Sequence, residues 1–230
     1  FGDGIKMHPR SQRIKVMTLK YFEDLKNYIS PPHTALVIID MQKDLVYDGF
    51  LCDAAGRDLQ ATRNIIPSLR KLLSLARKKN VMICHVGFWT LPDNLSDSGS
   101  WLSQRKKSTY SSHKLCMAGS EGAEFIDELK PLKNELIIRK HRYSAFKGTD
   151  LDMVLRSRGI KTVITTGVST NVCVESTLRD AFETGYYVCL PSNATASWNM
   201  SLHESTIETI RHRFGIVTKT EDIEDIWKKA

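Results

Sequence analysis

No apolar run in the sequence approaches the ~20 residues needed to span a bilayer, so a membrane-spanning helix is not expected. Cysteine is scarce and unpaired: five residues, at positions 52, 84, 116, 173 and 189, odd in number and without paired spacing. That pattern argues against a disulfide framework and for free thiols in a reducing, cytoplasmic compartment. Residues 1–30 lack the apolar stretch of a secretory signal, and a start at Phe1 reads as a processed or trimmed end. His33, His85, His113, His141, His203 and His212 show neither Asp-x-His nor His-x-x-x-His spacing, so no metal is expected. No glycine-rich loop of the dinucleotide or nucleoside triphosphate kind follows the first strand pattern, and no such cofactor is expected. Zinc-finger, RNA-recognition and helix-turn-helix signatures are also missing. The formal charge of +7 is spread along the chain, apart from local concentrations at 71–79 and 104–107. It reads as a solvated basic face that helps attract an anionic substrate, with nucleic acid not expected as a partner.

What is present fits one globular domain. The 230 residues suffice for one full core and are too few for two comfortable ones. Apolar residues make up 41% and charged residues 26%, ordinary proportions for a soluble fold. Helical and strand patterns alternate from position 35 onward. Strands are expected at 35–40 (ALVIID), 81–88, 135–140 (ELIIRK), 162–168, 186–191 and 215–218. Helices are expected at 57–79, 121–129, 150–158, 171–184, 201–213 and 221–229. Repeated βα units predict an α/β fold: a three-layer α/β/α sandwich around a mainly parallel, six-stranded sheet spanning 35–230. Residues 1–34 read as an N-terminal arm with an amphipathic helix at 17–29, packing on a neighbouring subunit. Residues 89–120 break the rhythm. They are rich in Ser, Gly, Asp and Asn, too long for a plain connection, and of the kind that shapes a substrate pocket or an interface.

Ligands of an open parallel sheet sit beyond the carboxyl ends of its strands. Asp40 closes the first strand pattern, Lys140 closes the third, and Cys173 follows the fourth on the turn that opens the next helix. Each has an ordinary reading: Asp40 as a cap or turn residue, Lys140 as a solvated end, Cys173 as a small buried hydrophobe. Their coincidence at one sheet edge favours chemistry. A helix N-terminus and a nearby ammonium both favour a thiolate. Asp40 can accept the thiol proton and pass it to a leaving amine, Lys140 can hold both anions, and the amides of Ser169 and Cys173 can cradle an oxyanion. Arg142 can bind a carboxylate bidentately or sit in a surface or interface ion pair. Trp89, Tyr143 and Phe146 can line an apolar wall or simply belong to the core. Asn171 is expected to shape the turn, and Glu175 to form a helix or subunit salt bridge.

Three ordered stretches, ALVIIDMQ from 35, KHRYSAF from 140 and TGVSTNVCVEST from 166, resemble the isochorismatase-like cysteine hydrolases. The resemblance runs from about 35 to 196. It implies the α/β/α fold, an Asp-Lys-Cys triad at Asp40, Lys140 and Cys173, a cis peptide between Val168 and Ser169, and a homo-oligomer, dimer or tetramer. Within the superfamily the same stretches are most similar to ureide-cleaving members: ureidoacrylate amidohydrolases, biuret hydrolases and N-carbamoylsarcosine amidohydrolases. Position 141 is His where the ureidoacrylate group commonly has Pro, and the 89–120 insert matches poorly. Nicotinamidases share the triad but add an Asp/His metal site that is not found here. The resemblance therefore implies a small amide or ureide as substrate, hydrolysed through a thioester, and no cofactor. Two further readings stay open: a vinyl-ether hydrolase of the isochorismatase type, and a non-catalytic binding protein that retains the fold.

Overall fold

The computed structural model describes residues 21–107 and 114–230. Its strands are β1 (Thr34–Ile39), β2 (Met82–Phe88), β3 (Leu136–Lys140), β4 (Thr162–Val168), β5 (Tyr187–Pro191), β6 (Thr195–Ala196) and β7 (Ile216–Thr218). The helices are α1 (Leu25–Tyr28), α2 (Lys43–Val46), α3 (Leu51–Ala54), α4 (Gln60–Asn64), α5 (Ile66–Lys78), α6 (Gly99–Lys107), α7 (Leu151–Ser157), α8 (Glu175–Glu183), α9 (Met200–Arg213) and α10 (Thr220–Lys229). Every strand pairing is parallel, in the order β3-β2-β1-β4-β5-β7, with β6 attached to β4. The expected six strands become seven. β6 is two residues long, too short to leave an alternation or an apolar run in the sequence.

Continuous apolar runs form the centre of the sheet because both faces there are covered. β1 and β4 are buried at every position. The pleat sends alternate residues of β1 to opposite layers. Leu36 and Ile38 pack with Leu69, Leu72 and Leu73 of α5 and with Ile223 and Trp227 of α10. Val37 and Ile39 face Leu151 and Leu155 of α7, Leu178 and Ala181 of α8, and Ile207 and Ile210 of α9. Each fully buried aliphatic side chain contributes about 1.5–3 kcal/mol.

Several boundaries differ from the sequence reading. The helix expected at 57–79 divides at Ile65, because Pro67 occupies the first turn of α5; proline cannot donate to a preceding turn, and its ring excludes one. The segment 121–129 forms two separate 3-10 turns, Glu121–Ala123 and Asp127–Leu129, in place of one helix. Before α8, residues Thr170–Val174 form a π turn. Of the helix expected at 17–29, residues 17–20 lie outside the described residues, and from Tyr21 on only α1 is helical. This part of the arm makes contacts with its own chain: the Tyr28 hydroxyl donates to Val188 O (3.2 Å), and Trp227 Nε1 donates to Ile29 O (2.8 Å). The insert carries α6 and returns beside its own start, with Thr90 N–H donating to Cys116 O (3.1 Å) and Ala118 N–H to Thr90 O (2.9 Å). Among the described residues no helix is long and apolar enough to cross a membrane.

Candidate active site

The parallel register aligns the carboxyl ends of the central strands. Ile39 sits opposite Gly167 of β4 on one side and Val86 of β2 on the other, and Phe88 sits opposite Lys140 of β3. Asp40, directly after β1, takes a left-handed backbone (φ 55°) while its N–H stays bonded to Val86 O (2.7 Å). Its carboxylate meets the ammonium of Lys140: Nζ donates to Oδ2 at 2.8 Å. The same Nζ lies 3.3 Å from Cys173 Sγ. An acid, an amine and a thiol from three separated segments thus share one crevice. All three are buried, Lys140 completely and Cys173 with 8% of its surface left open. Asp40 Oδ1 is buried without a hydrogen-bond partner.

Burial dominates the electrostatics of this cluster. It pushes the Asp40 carboxyl up, against the opposing pull of Lys140. Burial alone would lower Lys140, but the charges of Asp40 and Cys173 outweigh it and the ammonium is held above its ordinary range. The Cys173 thiol is pushed up by burial and by the Asp40 carboxylate, with Lys140 opposing. The sequence reading expected a depressed thiol pKa. The structure differs because Cys173 is buried and a carboxylate faces the sulfur. Burial therefore favours the neutral thiol, next to the Lys140–Asp40 contact.

The surrounding shell locks these groups. Gly167 is required: at φ 97° a Cβ would come within 2.1 Å of Ile39 O, where β4 passes the end of β1. The Val168–Ser169 peptide that follows is cis. Gln42 is fully buried and clamps the end of β2 to the far side of the insert: its Nε2 donates to Phe88 O (3.0 Å) and Ala123 O (2.8 Å), and its Oε1 accepts from Phe88 N–H (2.7 Å). Thr177 joins the loop after β3 to the segment carrying Cys173, accepting from Ala145 N–H (3.0 Å) and donating to Cys173 O (2.7 Å). Asn171 Oδ1 accepts from the hydroxyls of Ser169 (2.9 Å) and Ser197 (2.6 Å), bracing the turn. Glu175 pairs with Arg179 (2.6 Å) and accepts from Thr206 (2.8 Å).

Comparison with known proteins places this arrangement. The isochorismatase domain matches residues 34–222. The chain belongs to the isochorismatase family. This family member is 32% identical over 205 residues to the ureidoacrylate amidohydrolase RutB of Acinetobacter baylyi, covering 84% of this chain and 83% of the relative. Among solved structures it is similar to a cysteine hydrolase from Pseudomonas syringae pv. phaseolicola (TM-score 0.78, 27% identity, 88% of this chain and 95% of the other). It is also similar to N-carbamoylsarcosine amidase from Thermoplasma acidophilum (TM-score 0.66, 26% identity, 81% and 96%). The protein is thus an isochorismatase-family hydrolase with a parallel sheet between helical layers.

The other residues singled out from the family's sequence pattern part company here. Tyr143 stays at the crevice, its ring 4.5 Å from Trp101. Arg142 lies on the rim with one amino group donating to the carbonyls of Ser96 and His141 (both 2.7 Å) and no ion pair among the described residues. Trp89 and Phe146 have other ring partners. Trp89 turns to the other face of β2, under the Arg139 guanidinium (4.5 Å), where it lines a cavity of about 450 Å³ beside β3. Phe146 packs on Tyr186 (5.9 Å). The wall residue that sequence reasoning missed is Phe88, whose ring lies 4.9 Å from Lys140 Nζ. The pleat decides this, since neighbouring residues of one strand face opposite ways. Trp101 and Arg105, on α6, were also missed; the only signal was the unusual length of the insert. A cavity of about 700 Å³ opens between Pro31, Arg77, Glu135 and Arg158, and none of Asp40, Lys140 and Cys173 lines it. Cys52, Cys84, Cys116 and Cys189 are free and buried, and among the described residues no group of three or more His, Cys, Asp or Glu is placed to hold a metal.

Proposed function

We propose that the protein is a thiol-dependent amidohydrolase that cleaves a C–N bond of a small ureido or carbamoyl compound, with Cys173 as nucleophile, Asp40 as general base and acid, and Lys140 as the cation holding both. The observation that carries this is the single ammonium within bonding distance of both the carboxylate (2.8 Å) and the sulfur (3.3 Å) in a buried crevice. The names of the curated relatives, ureidoacrylate amidohydrolases, supply the substrate class.

As Sγ adds to the ureido carbonyl carbon, its proton passes to Asp40. A carboxylate made more basic by burial is suited to that step. The C=O electron pair moves onto oxygen, and the amides of Ser169 and Cys173 are the donors for that oxyanion. The C–N bond then breaks, Asp40 returns the proton to the departing nitrogen, and a thioester remains. Water, deprotonated by Asp40, adds to the thioester; collapse expels the thiol and releases a carbamate or other acid. Lys140 keeps a positive charge beside each anionic species. Arg142 and Tyr143 on the rim are the proposed substrate contacts. We assign the enzyme to the cytoplasm as a dimer or tetramer, which sedimentation of the purified protein checks.

The deciding experiment is ammonia release from ureidoacrylate, biuret, N-carbamoyl amino acids and nicotinamide, with isochorismate tested in parallel. Turnover of a ureide that disappears in Cys173→Ala is expected. Turnover that survives Cys173→Ala refutes the nucleophile, cleavage of isochorismate alone refutes the amide chemistry, and inertness to all supports a binding role.

A further inference from the structure

The insert helix α6 carries an aromatic residue that the catalytic scheme does not use. Trp101 lies 6.3 Å from Phe88 and 4.5 Å from Tyr143 between ring centroids, and Phe88 faces Lys140 Nζ at 4.9 Å. The Phe88 ring therefore links the indole to Lys140 of the proposed triad. Two guanidinium groups lie against this indole, Arg142 at 5.3 Å and Arg105 at 5.8 Å. Arg105 pairs with Asp97 (3.1 Å), and no carboxylate pairs with Arg142 among the described residues. Trp101 Nε1 is buried with no hydrogen-bond partner. An unsatisfied buried donor costs about 1–3 kcal/mol, a penalty relieved when a ligand oxygen accepts from it.

The geometry points to a carboxylate-reading wall on α6: Trp101, flanked by Arg142 and Arg105, determines specificity by admitting a planar, anionic ureido acid beside Cys173 in preference to a neutral ureide. This rests on the amidohydrolase reading and narrows its substrate class. A conjugated ureido acid presents a flat face to the indole, and its carboxylate matches the fork of Arg142, whose other amino group is fixed by the Ser96 and His141 carbonyls. Saturated ureido acids keep the charge but lose the flat face. Biuret keeps the plane but lacks the charge.

The test needs no turnover. Cys173 is alkylated with iodoacetate and with iodoacetamide, which differ chiefly in charge, and the modified peptide is quantified by mass spectrometry. The ratio of the two rates, divided by the same ratio for free cysteine, is expected to be raised about tenfold in the parent protein. Arg142→Gln and Trp101→Ala should each return it to about one. Trp101→Phe, which keeps a ring, serves if Trp101→Ala does not fold, and should lower the ratio partway by losing Nε1. A parent ratio near one, or a ratio that Arg142→Gln or the folded Trp101 variant leaves unchanged, overturns the wall. A protein that shows the selectivity but hydrolyses no ureide refutes the amidohydrolase reading alone. One that hydrolyses ureides but shows no selectivity refutes the wall alone.

Discussion

At the scale of single residues, the site depends on groups whose ordinary chemistry is shifted by burial. In the proposed reaction Asp40 accepts the thiol proton as a carboxylate, and burial raises its pKa. A raised acid pKa means the proton is held to higher pH, so kcat/KM should fall on acidification at a pH above the ~4 of a free aspartate. Lys140 is shifted upward as well, so the ammonium should persist past pH 10 (ordinary value about 10.4) and no alkaline loss is expected below it. A pH profile of kcat/KM from 4 to 10 checks both limbs. Gln42 is the structural counterpart. Gln42→Leu removes three buried hydrogen bonds and orphans Phe88 N–H, which should cost about 2–4 kcal/mol in urea unfolding. At this scale much was legible in advance. Asp40, Lys140 and Cys173 stand at ends of apolar runs, and strand-end positions are a local property of sequence. The upward shift of the thiol was not legible, because it arises from burial and from a carboxylate more than 130 positions away in the chain.

At the scale of elements, the close passage of β4 past β1 and the turn after it set the sulfur's position. Gly167→Ala drives a Cβ into the Ile39 carbonyl at a φ that alanine avoids. Loss of folded protein, or a destabilisation of at least about 3 kcal/mol, is expected from thermal or urea melts. The strands were readable from their apolar runs, whereas the turn was not. A π turn at Thr170–Val174 leaves no distinctive periodicity over five residues, so the sequence reading carried helix straight through it. The insert shows the same limit. Its length marked it as functional, but α6 has a polar sequence, and Trp101 gains its position from contacts with Phe88 and Tyr143.

At the scale of the molecule, the amino ends of the strands are tied by a buried charge cluster remote from the triad. Glu135 accepts from Arg77 Nε (2.7 Å) and Nη2 (2.9 Å) and meets His85 Nε2 at 2.9 Å. Burial raises its pKa, but the Arg77, Leu132 and His85 contacts outweigh that and hold it down at about 2. A depressed carboxylate pKa stabilises the fold above the unfolded value of about 4.3, and the contribution is lost as pH falls through the folded value. Glu135→Gln should therefore be destabilised at pH 7, on the order of 3 kcal/mol, and the difference from the parent should close toward pH 2. Denaturant melts at both pH values check this.

The sequence by itself determined the layered α/β architecture, the parallel sheet and the three polar residues at its carboxyl edge. Apolar runs, breakers and strand ends are written locally and need no partner to be read. Only the tertiary structure decided that Phe88 and not Trp89 faces Lys140, that burial and a carboxylate push the thiol up, and that Trp101 stacks beside Phe88 and Tyr143. Each of these depends on pleat phase, burial or a charge brought from elsewhere in the chain, and such quantities exist only once distant segments are packed together.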